Sequence, residues 1–276
     1  MITLSAFADE IDPSLKVQMD VCQANGVRRI DLRGIDKINC SQMAVEQARQ
    51  YRAQMADRGL AVACLGSPIG KITLADDFPA HLELLKHCCD VATAFGTTHI
   101  RIFSFYPAKG QDFTGRRGQV MNQMAAMVKV AEAAGMVLLH ENEKRIYGAR
   151  PEGVKDLFAT IKSKAFRGIF DPANFVEEDV APYDQGWQAG LADLTQYFHI
   201  KDKVPGAKTC VPAGQGAGQI DKIFADVKKR NWSGVMALEP HMKAAEQFSG
   251  FSGPQLFAEA VKGLKAMLDK AGLAYQ

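Results

Sequence analysis

The stretch MVLLHENEKRIYGARPEGVKDLFATIKSKAFRGIFD (136–171) contains two short apolar runs, MVLLHE (136–141) and FRGIFD (166–171). Each has the length and the branched, aromatic content of a β-strand. Each also ends on a carboxylate, Glu141 or Asp171. Pro151, between them, suits the first turn of a helix, because its missing N–H is not needed there. Strand, helix, strand is the repeating unit of a parallel α/β fold.

Outward from this unit the alternation continues to both ends of the chain. On the N-terminal side, strands are expected at ITLSAF (2–7), VRRIDL (27–32), LAVACLG (60–66) and THIRIF (98–103). Helices between them are expected from Asp12–Pro13 to Gly26, from Ser41 to Arg58, over 78–94 and over 114–134. Gly26, Gly96 and Gly135 stand directly before strands, as left-handed helix ends require. On the C-terminal side, TQYFHI (195–200) and GVMALE (234–239) read as strands, with helices over 219–230 and 253–272. The segment 172–194 is irregular, with a helical turn near 187–193, and a Gly-rich loop covers 205–218. Eight β/α units, spaced by about 34 residues, predict a (β/α)8 or TIM barrel formed by residues 1–276 as one domain.

Composition narrows the function. Lys and Arg number 33 against 31 Asp and Glu, so net charge is only +2 and gives no electrostatic footprint for nucleic acid or an anionic membrane. No apolar run approaches the roughly 20 residues that cross a bilayer. The start, MITLSAFADEID, lacks the basic n-region of a signal peptide, so a cytoplasmic protein is expected. The six cysteines form no CxxC pair and read as small buried side chains.

In such a barrel the C-terminal strand ends converge on one mouth. Glu141, Asp171, His199 and Glu239 stand at or next to the ends of the last four strands. Alternation along each strand turns Val137, Leu139, Ile169, Tyr197, Val235 and Ala237 into the barrel below them. Three carboxylates and one imidazole suit one divalent cation, such as Mn²⁺, Mg²⁺ or Co²⁺, and differ from a closed structural Zn²⁺ site. Lys201 and His241, two residues beyond His199 and Glu239, are expected to face the same mouth. Arg101 and Arg33 are candidates for a substrate carboxylate or phosphate, and Glu143 for the mouth or for an ion pair with Lys144 or Arg145. His140 is expected to point outward. GSPIGK (66–71) reads as a mouth loop, since it lacks the Walker pattern, and Phe7 and Trp187 are candidate apolar walls.

HENEKR (140–145), FDPANF (170–175), FHIKDK (198–203), LEPH (238–241) and GQGAGQID (214–221) resemble the xylose isomerase-like, sugar phosphate isomerase/epimerase superfamily along the whole chain. The resemblance implies that Glu141, Asp171, His199 and Glu239 hold one divalent metal ion (Mn²⁺, Mg²⁺, Co²⁺ or Zn²⁺). It also implies that Glu141 and Glu239 form an acid–base pair on opposite faces of a carbohydrate substrate, as in the ketose 3-epimerase branch. Removing a proton beside a carbonyl leaves an enediolate whose charge needs a nearby cation. The chain departs from the epimerase pattern at Asn174, where a His is usual, and at Lys201 and Lys203, where the loop usually carries an Arg. Asn174 can hydrogen-bond a hydroxyl but cannot take up a proton near neutral pH.

The sequence therefore predicts a metal-dependent isomerase or epimerase of a small sugar, sugar phosphate or keto-polyol. The alternative on the same scaffold is a dehydratase of an inosose-like keto-polyol. Two remoter readings are an endonuclease IV-like repair enzyme, for which six histidines and no basic excess are a poor fit, and a non-catalytic sugar-binding barrel. Homo-oligomerisation is left open by the sequence.

Overall fold

A computed structural model describes residues 1–243 and 252–276. The chain runs β1 (Ile2–Ala6), α1 (Leu15–Ala24), β2 (Arg29–Leu32), β3 (Gly34–Ile35), β4 (Ile38–Asn39), α2 (Val45–Asp57), β5 (Ala61–Leu65) and α3 (Phe78–Phe95). It continues with β6 (His99–Ile102), α4 (Arg117–Ala134), β7 (Val137–Glu141), α5 (Pro151–Thr160), β8 (Phe166–Phe170), α6 (Pro172–Glu177), β9 (Thr195–Ile200), α7 (Ile220–Lys229), β10 (Gly234–Leu238) and α8 (Gly253–Ala271). Eight strands close into a parallel barrel in the order β1-β10-β9-β8-β7-β6-β5-β2, with β1 pairing β2. The expected strands all occur, with ends moved by one or two residues.

Local chemistry explains the helix limits. Asp77 accepts from the Ala80 amide at 3.0 Å and Pro79 fills the first turn of α3, while Gly96 ends it in the left-handed region. Gly135 and Gly272 end α4 and α8 in the same way. Three features were not expected from the sequence. Gly34–Ile35 and Ile38–Asn39 form a small antiparallel hairpin. Asp171 caps the short α6 by accepting from the Asn174 amide at 3.0 Å. The irregular stretch before β9 winds as a π-type helix over Pro182–Leu191, longer than the turn expected at 187–193.

The interior splits into two apolar regions. Cys64, Leu139, Ile169, Tyr197 and Ala237, with Val137 and Val235 at the rim, fill the barrel itself. They are a separate cluster from the larger layer between sheet and helices. All six residues expected to point inward do so. Their alternation partners point the other way. His140 packs edge-on to Phe158 and Phe166 and bonds Ser104 Oγ at 3.0 Å. Burial lowers its pKa to about 4, so it is neutral there. Trp187 lies in this outer layer too, against Phe170 and Phe198, with Nε1 donating to Asp226 at 2.7 Å. It is therefore not a wall of the mouth, because the π-type turn rolls its ring under the helices.

Candidate metal centre

Each of Glu141, Asp171, His199 and Glu239 offers one ligand atom, and these atoms all lie within 4.8 Å of one another. All four residues are buried. The strands aim them: β7 ends at Glu141, β9 carries His199, and Asp171 and Glu239 follow β8 and β10. Asn142 ties two of these ends together, donating to the Asp171 carbonyl and accepting its amide, both at 2.9 Å.

The donor atoms fit a cation. Asp171 spends Oδ1 on its cap, while its buried Oδ2 is paired with the Lys201 ammonium at 2.8 Å. Neither ring nitrogen of His199 has a hydrogen-bond partner, although Nδ1 stands 3.1 Å from Glu141 Oε1. Lys201 Nζ also lies 2.6 Å from Glu239 Oε2 and 3.9 Å from Glu141 Oε1. Positive charge is thus already drawn to the place where the carboxylates crowd.

Electrostatics follow from that crowding. Burial, with Glu141 and Glu239 nearby, pushes Asp171 up to about 7 against the pull of Lys201. Burial opposes charge on His199, but Glu141, Asp31 and Glu239 outweigh it and raise its pKa to about 9. Glu239 is buried too, yet Lys201 and His241 hold it well below the usual carboxylate range.

The other expected residues divide into two groups. Asn174 Nδ2 donates to Glu141 Oε1 at 3.1 Å. Arg101 Nη1 reaches Glu141 at 3.3 Å and Glu239 at 3.8 Å, while Nη2 donates to the Gly66 carbonyl at 3.0 Å. His241 Nε2 lies 3.3 Å from Glu239 and 3.0 Å from Glu10. Arg33 ion-pairs with Asp9, Glu10 and, at 3.4 Å, Glu239. Phe7 forms a wall, its ring edge-on to His199 at 5.0 Å and flanked by both guanidiniums. Lys203, by contrast, is buried against Glu177 at 2.9 Å and makes no ion pair with the four candidate ligands. The mouth loop brings Lys71 to Glu143 at 3.0 Å, so of its two expected placements Glu143 takes the one toward the mouth and not the ion pair with Lys144 or Arg145.

Sequence reasoning passed over Asp31, Glu10, Asn142 and Asp202. Asp202 lies within the HIKD segment, and its buried carboxylate accepts the amides of Lys203, Gly214, Gly216 and Gly218 at 2.8–2.9 Å. A Cβ at Gly218 would stand 2.7 Å from Asp202 Oδ1, and one at Gly216 would overlap it. The glycines of GQGAG are therefore spaced for this carboxylate, and that spacing was the available signal.

Comparison with known proteins agrees with this architecture. The crystal structure of the probable 3-DHS dehydratase AsbF from Bacillus anthracis is 18% identical, covers 96% of this chain and 99% of that chain, and has a TM-score of 0.76. The 3-keto-D-glucoside 4-epimerase YcjR from E. coli is 14% identical over 98% of this chain and 100% of that one, with a TM-score of 0.72. A xylose isomerase-like TIM barrel protein from Mycobacterium smegmatis, in complex with magnesium, is 15% identical over 98% and 97%, with a TM-score of 0.71. No curated protein matches the sequence. The family model described as xylose isomerase-like TIM barrel matches residues 26–267, and the chain belongs to that family.

Proposed function

We propose that this protein is a divalent-metal-dependent epimerase or isomerase of a small keto-sugar or keto-polyol. The observation that carries the reading is the convergence of Glu141, Asp171, His199 and Glu239 within 4.8 Å at the C-terminal end of the barrel. Oxygen-rich ligation with one imidazole suits Mn²⁺ or Mg²⁺, and the magnesium bound by the Mycobacterium smegmatis relative is in keeping with it. When bound, the ion supplies the positive charge that a substrate needs as it loses a proton beside its carbonyl. The protein supplies the rest. One of Glu141 and Glu239 removes the proton, and the other returns one from the opposite side. The glutamate that returns the proton enters the step protonated, and Arg101, within reach of both, favours the ionised form in the one that takes the proton. Asn174 and His241, each touching one glutamate, orient hydroxyls, and Phe7 keeps water from one wall.

A dehydratase is the second reading, favoured by Lys201. Its ammonium lies among the ligands, where it can hydrogen-bond a departing hydroxyl. A panel of ketoses and keto-polyols with Mn²⁺ in D₂O separates the two. Epimerisation or isomerisation incorporates deuterium without loss of water, whereas dehydration creates a new ultraviolet chromophore. No turnover of any member, with metal bound, would count against both.

Metal loading itself carries a pH signature. A ligating nitrogen or carboxylate must lose its proton first. With His199 raised to about 9 and Asp171 to about 7, apparent Mn²⁺ affinity is expected to rise steadily from pH 6 to pH 9. Near neutral pH, binding should release one to two protons, read by calorimetry in buffers of different ionisation enthalpy. An affinity that is flat across this range would contradict the ligand set.

A further inference from the structure

Beneath the metal cluster, inside the barrel, lies a carboxylate that the chemistry above does not use. Asp31 on β2 is aligned with Cys64, a member of the barrel-filling cluster, so it points inward. It is 1% exposed and surrounded by the apolar layer. Its Oδ1 accepts from Ser5 Oγ at 2.5 Å and from Tyr197 Oη at 2.6 Å. Its Oδ2 has no hydrogen-bond partner. That free oxygen faces His199 Nε2, itself buried and unpartnered, at 3.7 Å.

The ring between these groups has little freedom. Phe7 and Tyr197 meet His199 edge-on, at centroid distances of 5.0 and 6.0 Å. So oriented, Nδ1 looks up at Glu141 and Nε2 looks down at Asp31. An unpaired buried carboxylate oxygen is costly, and so is an unpaired buried N–H. Tilting the ring by a few tenths of an ångström brings the two into hydrogen-bonding range and removes both costs.

We infer that Asp31 is a positioning residue: it holds the Nε2–H of His199, so that the bare lone pair is on Nδ1 and points into the metal cluster. This rests on the reading of His199 as a metal ligand. Ser5 and Tyr197 play a supporting part by fixing the far oxygen of Asp31. Partners of this kind set the tautomer and basicity of a metal-bound imidazole, and losing one typically costs 10–100-fold in metal affinity. The carboxylate serves as a pure acceptor for three converging donors. An amide at the same position would aim its own N–H at one of them.

The test compares Asp31→Asn, Tyr197→Phe and the wild-type protein. Mn²⁺ affinity, by calorimetry at fixed pH, is expected to fall about 10–100-fold in Asp31→Asn. Tyr197→Phe, which leaves Asp31 Oδ2 in place, should bind within about threefold of wild type. In metal-free wild-type protein, the His199 Nε2–H should give a downfield, slowly exchanging proton resonance that Asp31→Asn loses. Wild-type affinity in Asp31→Asn, or an equal loss in Tyr197→Phe, would overturn the inference. So would absence of the Nε2–H resonance from the wild-type spectrum, a readout that needs neither metal nor a folded variant. Wild-type protein that shows the resonance but binds no Mn²⁺ would instead overturn the ligand role of His199.

Discussion

Glu141→Gln and Glu239→Gln are each expected to lower turnover by about 10²–10⁴-fold, the usual range for loss of a general acid or base. Glutamine keeps the shape and one acceptor oxygen but cannot take up a proton. The effects should differ in kind as well as in size. If the two glutamates serve opposite faces, each variant retains solvent exchange on the face served by the other, while inversion is lost. Deuterium wash-in at the epimerised carbon, followed by mass spectrometry or NMR, reads this directly. Metal loss has to be separated from the chemical effect, since both residues are also ligand candidates. Turnover is therefore measured at saturating Mn²⁺, with the affinity of each variant determined independently. The barrel should persist in both variants, because removing one charge also relieves repulsion among three crowded carboxylates. Full turnover in both variants would end the acid–base assignment.

Asp202→Ala is expected to cause the largest loss of stability among the substitutions considered. Four backbone amides, from Lys203, Gly214, Gly216 and Gly218, converge on this one buried carboxylate. Each amide left unpaired in the interior costs about 1–3 kcal/mol, although water entering the vacated space restores part of that. A net loss of about 4 kcal/mol is therefore expected, or a fall in Tm on the order of 10 °C for a chain of this size. Asp202→Asn keeps one acceptor oxygen and should lose less. Thermal melts of the two variants check both statements. A melt of Asp202→Ala within about 2 °C of wild type would show that the loop 214–218 is held by something else.

The site was partly legible in the sequence. Glu141, Asp171, His199 and Glu239 could be found because strand ends in an α/β barrel face one mouth and polar residues there break an apolar run. Asp31 could not be found in the same way. In VRRIDLR it looks like one more charge among arginines, and only the apolar Ile30 and Leu32 on either side hint that it points inward. Its partners, Ser5 and Tyr197, come from strands 26 and 166 residues away in sequence. Glu10 escaped for the same reason, since its meeting with His241 spans most of the chain. Trp187 lies away from the mouth because a loop's direction depends on the elements it packs against.

Sequence alone determined the eight β/α units, the inward set from Val137 to Ala237 and the four residues that converge. These follow from periods of 2 and 3.6 residues and from helix-ending glycines, which are local properties of the chain. Tertiary structure decided what those residues touch. It placed Lys201 among the carboxylates and turned Lys203 to Glu177. It also set Asp31 beneath His199 and gathered the glycine amides onto Asp202. Charge and hydrogen bonding act between groups brought together by barrel closure, and no local pattern records which groups those will be.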